Sequence, residues 1–395
     1  MQKKLKKKLF IVLLIFFFLN FLSVIFSYRG EYLSHFDPAY WKERFLRSQW
    51  GVRPGCMLTD PHINPATCAW DDGYYQKHKN EKFVPYKENP LGDDGLYTYA
   101  GWEYVTGRDP TTLNAEAPPF GKYLIGLSIL LFGNQNIFAL LSGVFVLCAF
   151  YFLNMQVFKD KFFASIPVVL FSFEPLFYTQ MRAPFLDLLY LGFLFLTLAF
   201  FLRKQFFHVA IFLGLMAATK NSLSTFLLVI GTTLIYLFIT KRRKEIKKYL
   251  FTLPLAFLVF ILTYARFFFD GHSIIEFLKV QKWIVDFYSN GVKGSMFSPL
   301  EILSTGTWNT WWGESIHVPE WHLGWVILFF VSLAAGFLIV QKDKYDPVGI
   351  FVVWFVVYLL FLSFIPMWPR YLLLLLPFMY NLSVWVLSKN TRRFL

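Results

Sequence analysis

Ionisable side chains gather where this sequence passes from polar to apolar stretches: Asp93, Asp94, Glu116, Lys122, Glu174, Arg182, Asp187, Lys220 and Arg370. Carboxylates mixed with basic groups at one boundary suit transfer from a membrane-bound phosphate ester. Basic residues and a helix end hold the phosphate, and a carboxylate takes the proton of an acceptor hydroxyl. The densest stretch is Glu174-Pro-Leu-Phe-Tyr-Thr-Gln-Met-Arg-Ala-Pro-Phe-Leu-Asp187, which includes Gln180 and lies between the apolar runs 162–178 and 188–202. Charge beside hydrocarbon is expensive, which makes such a group a functional hypothesis by default. Pro184 suits the first turn of a helix. The spacing therefore predicts a helix over 184–202 whose positive end points at Arg182, an anion site that Asp187 also faces. The alternative is an Arg182–Asp187 ion pair that only closes a helical hairpin.

The elements that must position these groups are membrane helices. Of 395 residues, 56% are hydrophobic and 21% aromatic, and the mean hydropathy is +0.47. That is too apolar for a soluble domain and fits an all-α polytopic membrane protein. Apolar runs predict about ten spans, at 9–27, 136–157, 162–179, 185–202, 206–219, 222–240, 249–268, 321–341, 347–365 and 371–388. A shorter helix, opened by Asn114-Ala-Glu-Ala-Pro-Pro-Phe-Gly-Lys-Tyr123 and ended by Phe132-Gly-Asn134, reads as interfacial or re-entrant. More than half of the 38 Lys and Arg fall in the N-terminal segment, in alternate short connections (159–161, 203–204, 241–248, 342–344) and in the C-terminal tail. The positive-inside rule places these, and both termini, in the cytoplasm of a plasma-membrane protein. The first loop 28–135, the 180–184 turn, Lys220, the 269–320 loop and the 366–370 turn then face outward. The +13 net charge follows from this distribution and requires no nucleic-acid partner.

Residues 28–116 are polar, aromatic and turn-rich, as in a folded loop rather than a linker. Cys56 and Cys68 share that loop, so an extracytoplasmic placement predicts a disulfide between them. Cys148 lies in an apolar run and reads as a small core residue. In the second outer loop, 273–288 reads as an amphipathic helix lying on the membrane. Thr307-Trp-Asn-Thr-Trp-Trp-Gly-Glu314 is either an interfacial aromatic belt or a platform for a sugar ring or acceptor. His317, Glu320 and His322 could ligate a divalent metal, though the chemistry above requires no cofactor. No Walker loop, nucleophile elbow or dinucleotide fingerprint occurs.

Several short motifs resemble the protein O-mannosyltransferases. Thr179-Gln-Met-Arg-Ala-Pro-Phe-Leu-Asp187, with Glu174 upstream, is similar to their Thr-Gln-Ser-Arg…Leu-Asp segment. Asp93-Asp94-Gly-Leu-Tyr-Thr-Tyr is similar to their first-loop Asp-Glu pair, and Glu116-Ala-Pro-Pro-Phe-Gly-Lys122 to their His-Pro-Pro-Leu-Gly-Lys. Pro369-Arg-Tyr371 also matches, as does Gly214-Leu-Met-Ala-Ala-Thr-Lys220, which the aminoarabinose transferases of lipid A share. The family's His before Pro-Pro is Ala117 here, and the second acid of its pair is an Asp. The resemblance implies a GT-C fold and an inverting, polyprenyl-phosphate-sugar-dependent glycosyltransferase. It implies Asp94 or Asp93 as general base, Asp187 as second carboxylate and Arg182 as phosphate ligand, with Lys122 and Arg370 as further donor-phosphate candidates. Glu116, Glu174, Gln180 and Lys220 complete the candidate site.

The expected organisation is a catalytic transmembrane module over 1–268, an outer loop with an interfacial helix over 269–320, and C-terminal transmembrane helices over 321–395. The expected activity is hexosyl transfer, mannose-like, from a polyprenyl-phosphate donor to a hydroxyl acceptor of a protein or glycan at the outer face of the bilayer. Competing readings are transfer to a lipid acceptor and a transporter or flippase of lipid-linked sugars.

Overall fold

The structure, a computed structural model, describes residues 2–46, 48, 91–289, 295–310, 313–342 and 346–391. The Cys56–Cys68 pair and the tandem Trp311–Trp312 lie outside the described residues. Helices dominate. The β-structure among the described residues is a small hairpin, β1 (Thr307–Asn309) against β2 (Ser315–His317), with Trp308 opposite Ile316.

The chain opens with α1 (Gln2–Ser27), α2 (Arg29–Tyr32) and α3 (Pro38–Leu46). The rest of the first loop supplies α4 (Asp93–Val105) and α5 (Phe120–Phe132). Then come α6 (Asn136–Phe158), α7 (Lys161–Ser172), α8 (Pro175–Gln180), α9 (Asp187–Leu202), α10 (Phe206–Thr219) and α11 (Ser222–Ile239). The second half holds α12 (Arg243–Leu262), α13 (Ala265–Phe269), α14 (Ile274–Ser289), α15 (Ser298–Thr305), α16 (Leu323–Lys342) and α17 (Gly349–Leu362). A 3-10 turn, Pro369–Leu374, leads into α18 (Leu376–Thr391).

Among the described residues, five stretches are long and apolar enough to cross a membrane: Lys4–Ser27, Asn136–Phe158, Ser222–Ile239, Leu323–Gln341 and Pro369–Lys389. The apolar helices α5, α7, α9, α10 and α17 are shorter than the ~20 residues of a full crossing. Two expected spans have other bounds than their apolar runs. Run 162–179 splits because Pro175 pushes the preceding Glu174 out of the helical region, to φ −68°, ψ 120°. Run 249–268 begins earlier, at Arg243, and stops at Leu262. Pro184 does not open a helix as its spacing predicted. It sits in the turn ahead of α9, which starts at Asp187. Cys148 is exposed rather than core, on the outward side of α6 with Leu141 and Val144.

The interior is a layered helix pack: α6 on α9, α9 on α10, α10 on α12, α11 on α17, and α16 on α18, with α7 bridging α1, α6 and α18. α1 otherwise buries little of itself, and Asn20 ties it down by donating to the Ser172 carbonyl at 2.7 Å. α5 ends where expected: Gly133 takes the left-handed conformation and its N–H closes on the Ile129 carbonyl. α14 starts with a capping box. The Glu276 carboxylate accepts from the Ser273 N–H at 2.6 Å, and the Glu276 N–H donates back to the Ser273 hydroxyl. Phe277 and Ile284 turn inward, while Ile274, Ile275 and Leu278 remain exposed.

α4, which carries the first-loop acids, lies directly on α5. The two backbones meet at Gly101 and Gly126, where an added Cβ on Gly126 would run into the Gly101 carbonyl. Gly126→Ala is therefore expected to destabilise the protein by about 1–3 kcal/mol through overpacking. Gly231→Ala is the control. Nothing lies within 4 Å of its Cβ position, so helix propensity alone acts and the change stabilises by up to about 1 kcal/mol. Thermal unfolding in detergent checks both signs, and equal shifts would remove the close crossing.

Candidate active site

Four charged side chains from four separate elements converge in one network. Asp93 stands in the first turn of α4, Asp187 opens α9, Lys220 ends α10, and Arg370 lies in the 3-10 turn. Arg370 donates to Asp93 Oδ2. Its Nε is 4.0 Å from Asp187 Oδ2, and Lys220 Nζ donates to Asp187 Oδ1 at 2.7 Å. The Asp187 side chain is 2% exposed and that of Lys220 9%, against 15% for Arg370 and 30% for Asp93. The network therefore runs from a wet end at Asp93 to a dry end at Asp187 and Lys220. Asp187 Oδ2 and Arg370 Nε are buried without hydrogen-bond partners, so two polar atoms at its centre are unused.

Local sequence explains the convergence. Asn221 adopts the left-handed region, φ 47°, which Asn tolerates, and this breaks the chain between α10 and α11 just after Lys220. Thr225 then donates to the Lys220 carbonyl and pairs with the Tyr190 hydroxyl, fixing α11 and α9 around the lysine. Aromatic rings enclose the cations. Tyr371 lies 5.2 Å from Lys220 Nζ, and Phe185 and Trp368 each lie 5.4 Å from the Arg370 guanidinium. Tyr97 is buried beside them, and burial together with the Asp93 charge pushes its hydroxyl well above the ordinary range.

Asp94 is half-buried and forms no ion pair among the described residues. Its backbone carbonyl accepts from Thr98. Lys122 is fully buried, and its three N–H protons are all engaged: by the Asn114 carbonyl at 2.6 Å, the Asn114 side chain at 3.1 Å and the Ala117 carbonyl at 2.7 Å. Asn114, also left-handed at φ 51°, donates in turn to the Glu116 carboxylate. Lys122 thus builds the 114–117 turn. Desolvation raises the Glu116 carboxyl above the usual carboxylate range, against the pull of Lys122. The Tyr288 hydroxyl of α14 reaches over to the Glu116 carbonyl at 3.3 Å, bringing the 269–320 segment to this site.

The remaining candidates lie apart from the network. Arg182 pairs with Glu31 at 3.1 Å, and its side chain is 63% exposed, so the alternative of an Arg182–Asp187 ion pair does not form. The reason is the 133–136 turn. Asn134 and Asn136 both donate to the Glu31 carbonyl, and the Tyr32 hydroxyl donates to the Met181 carbonyl, which holds Glu31 beside Arg182. Glu174 is buried against Trp325 and Tyr380, and Gln180 is buried with its Oε1 unpartnered. Among the described residues no three acidic, His or Cys side chains are placed to hold a metal ion. His322 turns to Glu174, and the His317 ring packs on Trp321. Tyr97, Asn114 and Tyr288 lie inside the 93–99, 114–123 and 273–288 stretches without a signal of their own, and Glu31 had none beyond lying in a polar, aromatic loop.

The apolar helices and this helix arrangement define an integral membrane protein of the GT-C fold class. The chain is similar to ArnT from Cupriavidus metallidurans in crystal structures bound to undecaprenyl phosphate and in the apo state, with a TM-score of 0.57 and 16% identity to each. The match covers 76% of this chain and 56% and 55% of those chains, so this chain spans little more than half of that protein's length. At this identity the likeness establishes the fold. No family model and no curated protein matches the sequence.

Proposed function

We propose that this protein is a membrane glycosyltransferase that moves a sugar from a polyprenyl-phosphate donor to a hydroxyl acceptor at the outer face. The observation that carries the reading is the Asp93–Arg370–Asp187–Lys220 network, set at the helix ends of a GT-C fold. Arg370 holds the donor phosphate, with Asp93 and Asp187 fixing its fork and Lys220 neutralising Asp187. Asp94, unpaired with any cation among the described residues, accepts the acceptor's hydroxyl proton. The oxygen attacks the anomeric carbon opposite the phosphate, and the breaking C–O bond leaves its electron pair on the phosphate, which inverts the anomeric centre. The sugar is a mannose-like hexose and the acceptor a protein Ser/Thr hydroxyl, on the resemblance of the Asp93-Asp94 and Lys122 motifs. The clusters of Lys and Arg at 241–248 and in the N-terminal segment support cytoplasmic termini and an outward site in the plasma membrane.

The test is transfer. Purified protein incubated with a panel of radiolabelled polyprenyl-phosphate sugars should transfer or hydrolyse one of them. Arg370→Ala should abolish turnover, because it removes the cation that stabilises the leaving phosphate. Arg182→Ala should change it little, since an exposed ion pair such as Arg182–Glu31 is worth about 0–1 kcal/mol. The reverse order of severity would return the phosphate to Arg182, and inertness towards every donor would end the transferase reading.

A further inference from the structure

We propose that Glu174 is a positioning residue for Arg370, acting through the last helices of the chain. The proposal rests on Arg370 marking the donor-phosphate site. Glu174 sits between α7 and α8 and is 1% exposed. Its Oε1 accepts from the Trp325 indole N–H of α16 at 3.0 Å, and its Oε2 from the Tyr380 hydroxyl of α18 at 2.7 Å. His322 Nε2, at the foot of α16, lies 3.4 Å from the same oxygen. One carboxylate thus fastens the hinge of the first half to two helices more than 150 residues later.

Burying a carboxylate is costly unless it is well hydrogen-bonded, and an apolar side chain of similar size would pack here without that cost. A two-pronged acceptor gives geometry in return, because both prongs are satisfied only when α16 and α18 sit in one place. Tyr380 lies near the start of α18, which continues directly from the 3-10 turn bearing Arg370. That turn is held from its other side by α17. Trp354 donates to the Leu374 carbonyl at 2.9 Å and Tyr358 to the Tyr371 carbonyl at 3.1 Å. α8, which Glu174 opens, also packs on the turn. The Arg370 backbone is therefore clamped between α17 and the Glu174 hinge, while Glu174 itself bonds to none of the four network residues.

Binding of undecaprenyl phosphate to the purified full chain tests this. Glu174→Gln and Tyr380→Phe should each weaken binding about tenfold, the worth of one hydrogen bond to a charged group. Tyr380→Phe removes a single oxygen and keeps the test available if Glu174→Gln does not fold. The decisive readout is coupling: Tyr380→Phe combined with Arg370→Ala should bind no more weakly than Arg370→Ala alone. A purely structural role would give additive losses, which would overturn the proposal, as would unchanged binding in both single variants. If Arg370→Ala itself binds normally, the phosphate-site reading fails, and the proposal with it.

Discussion

Asp94→Asn should turn over about 10²–10⁴-fold more slowly than the native protein while binding the donor with native affinity, the signature of a lost general base. The amide keeps the size and the place at the start of α4 but cannot accept the acceptor's proton. Asp93→Asn should behave differently. Asp93 is the carboxylate that Arg370 grips, so its loss frees the guanidinium and raises the donor's apparent dissociation constant. Turnover at saturating donor and the donor dissociation constant, measured separately, split the adjacent pair into a base and a holder. If both variants transfer sugar at the native rate in protein that folds normally, the base lies outside the first loop.

The sequence revealed helices and boundaries better than faces. The stop at Gly133, the bounds of α10 and α11, and the amphipathic α14 could all be read from local residues, because caps, breaks and alternating polarity act within one turn. Run 162–179 misled because its apolar composition hid the break that Pro175 imposes at Glu174. Cys148 misled for a related reason. A membrane helix is apolar on both its lipid and its packed side, so hydrophobicity no longer marks which side faces inward. Partners were the least legible. Arg182 and Asp187 are near in sequence on a suggestive spacing, yet Asp187 pairs with Lys220 and Arg370 while Arg182 turns to Glu31. The Asp93–Arg370 contact joins residues 277 apart, which no local pattern encodes. Ionisable residue types at the polar–apolar boundary still pointed to all four members of the network, because burial of charge is selected only where something repays it.

Lys220→Met should be among the most destabilising single changes in this protein, at about 3–5 kcal/mol, because it strands the Asp187 carboxylate in a dry position. Arg370 Nε at 4.0 Å is then the remaining neighbour of opposite charge, too far for a good hydrogen bond. Asp187→Asn should cost a similar amount, since it leaves the buried Lys220 facing an amide and the Tyr371 ring. The double variant Asp187→Asn/Lys220→Met should recover most of the loss, because both charges leave the interior together and their desolvation cost goes with them. Unfolding in detergent across this double-mutant cycle measures the coupling, and an additive double would mean the two charges do not stabilise each other. Stability and function should then part. The recovered double variant folds, but Arg370 keeps only Asp93 to orient it, so undecaprenyl phosphate should bind more weakly than to native protein even though the helices around the site are intact.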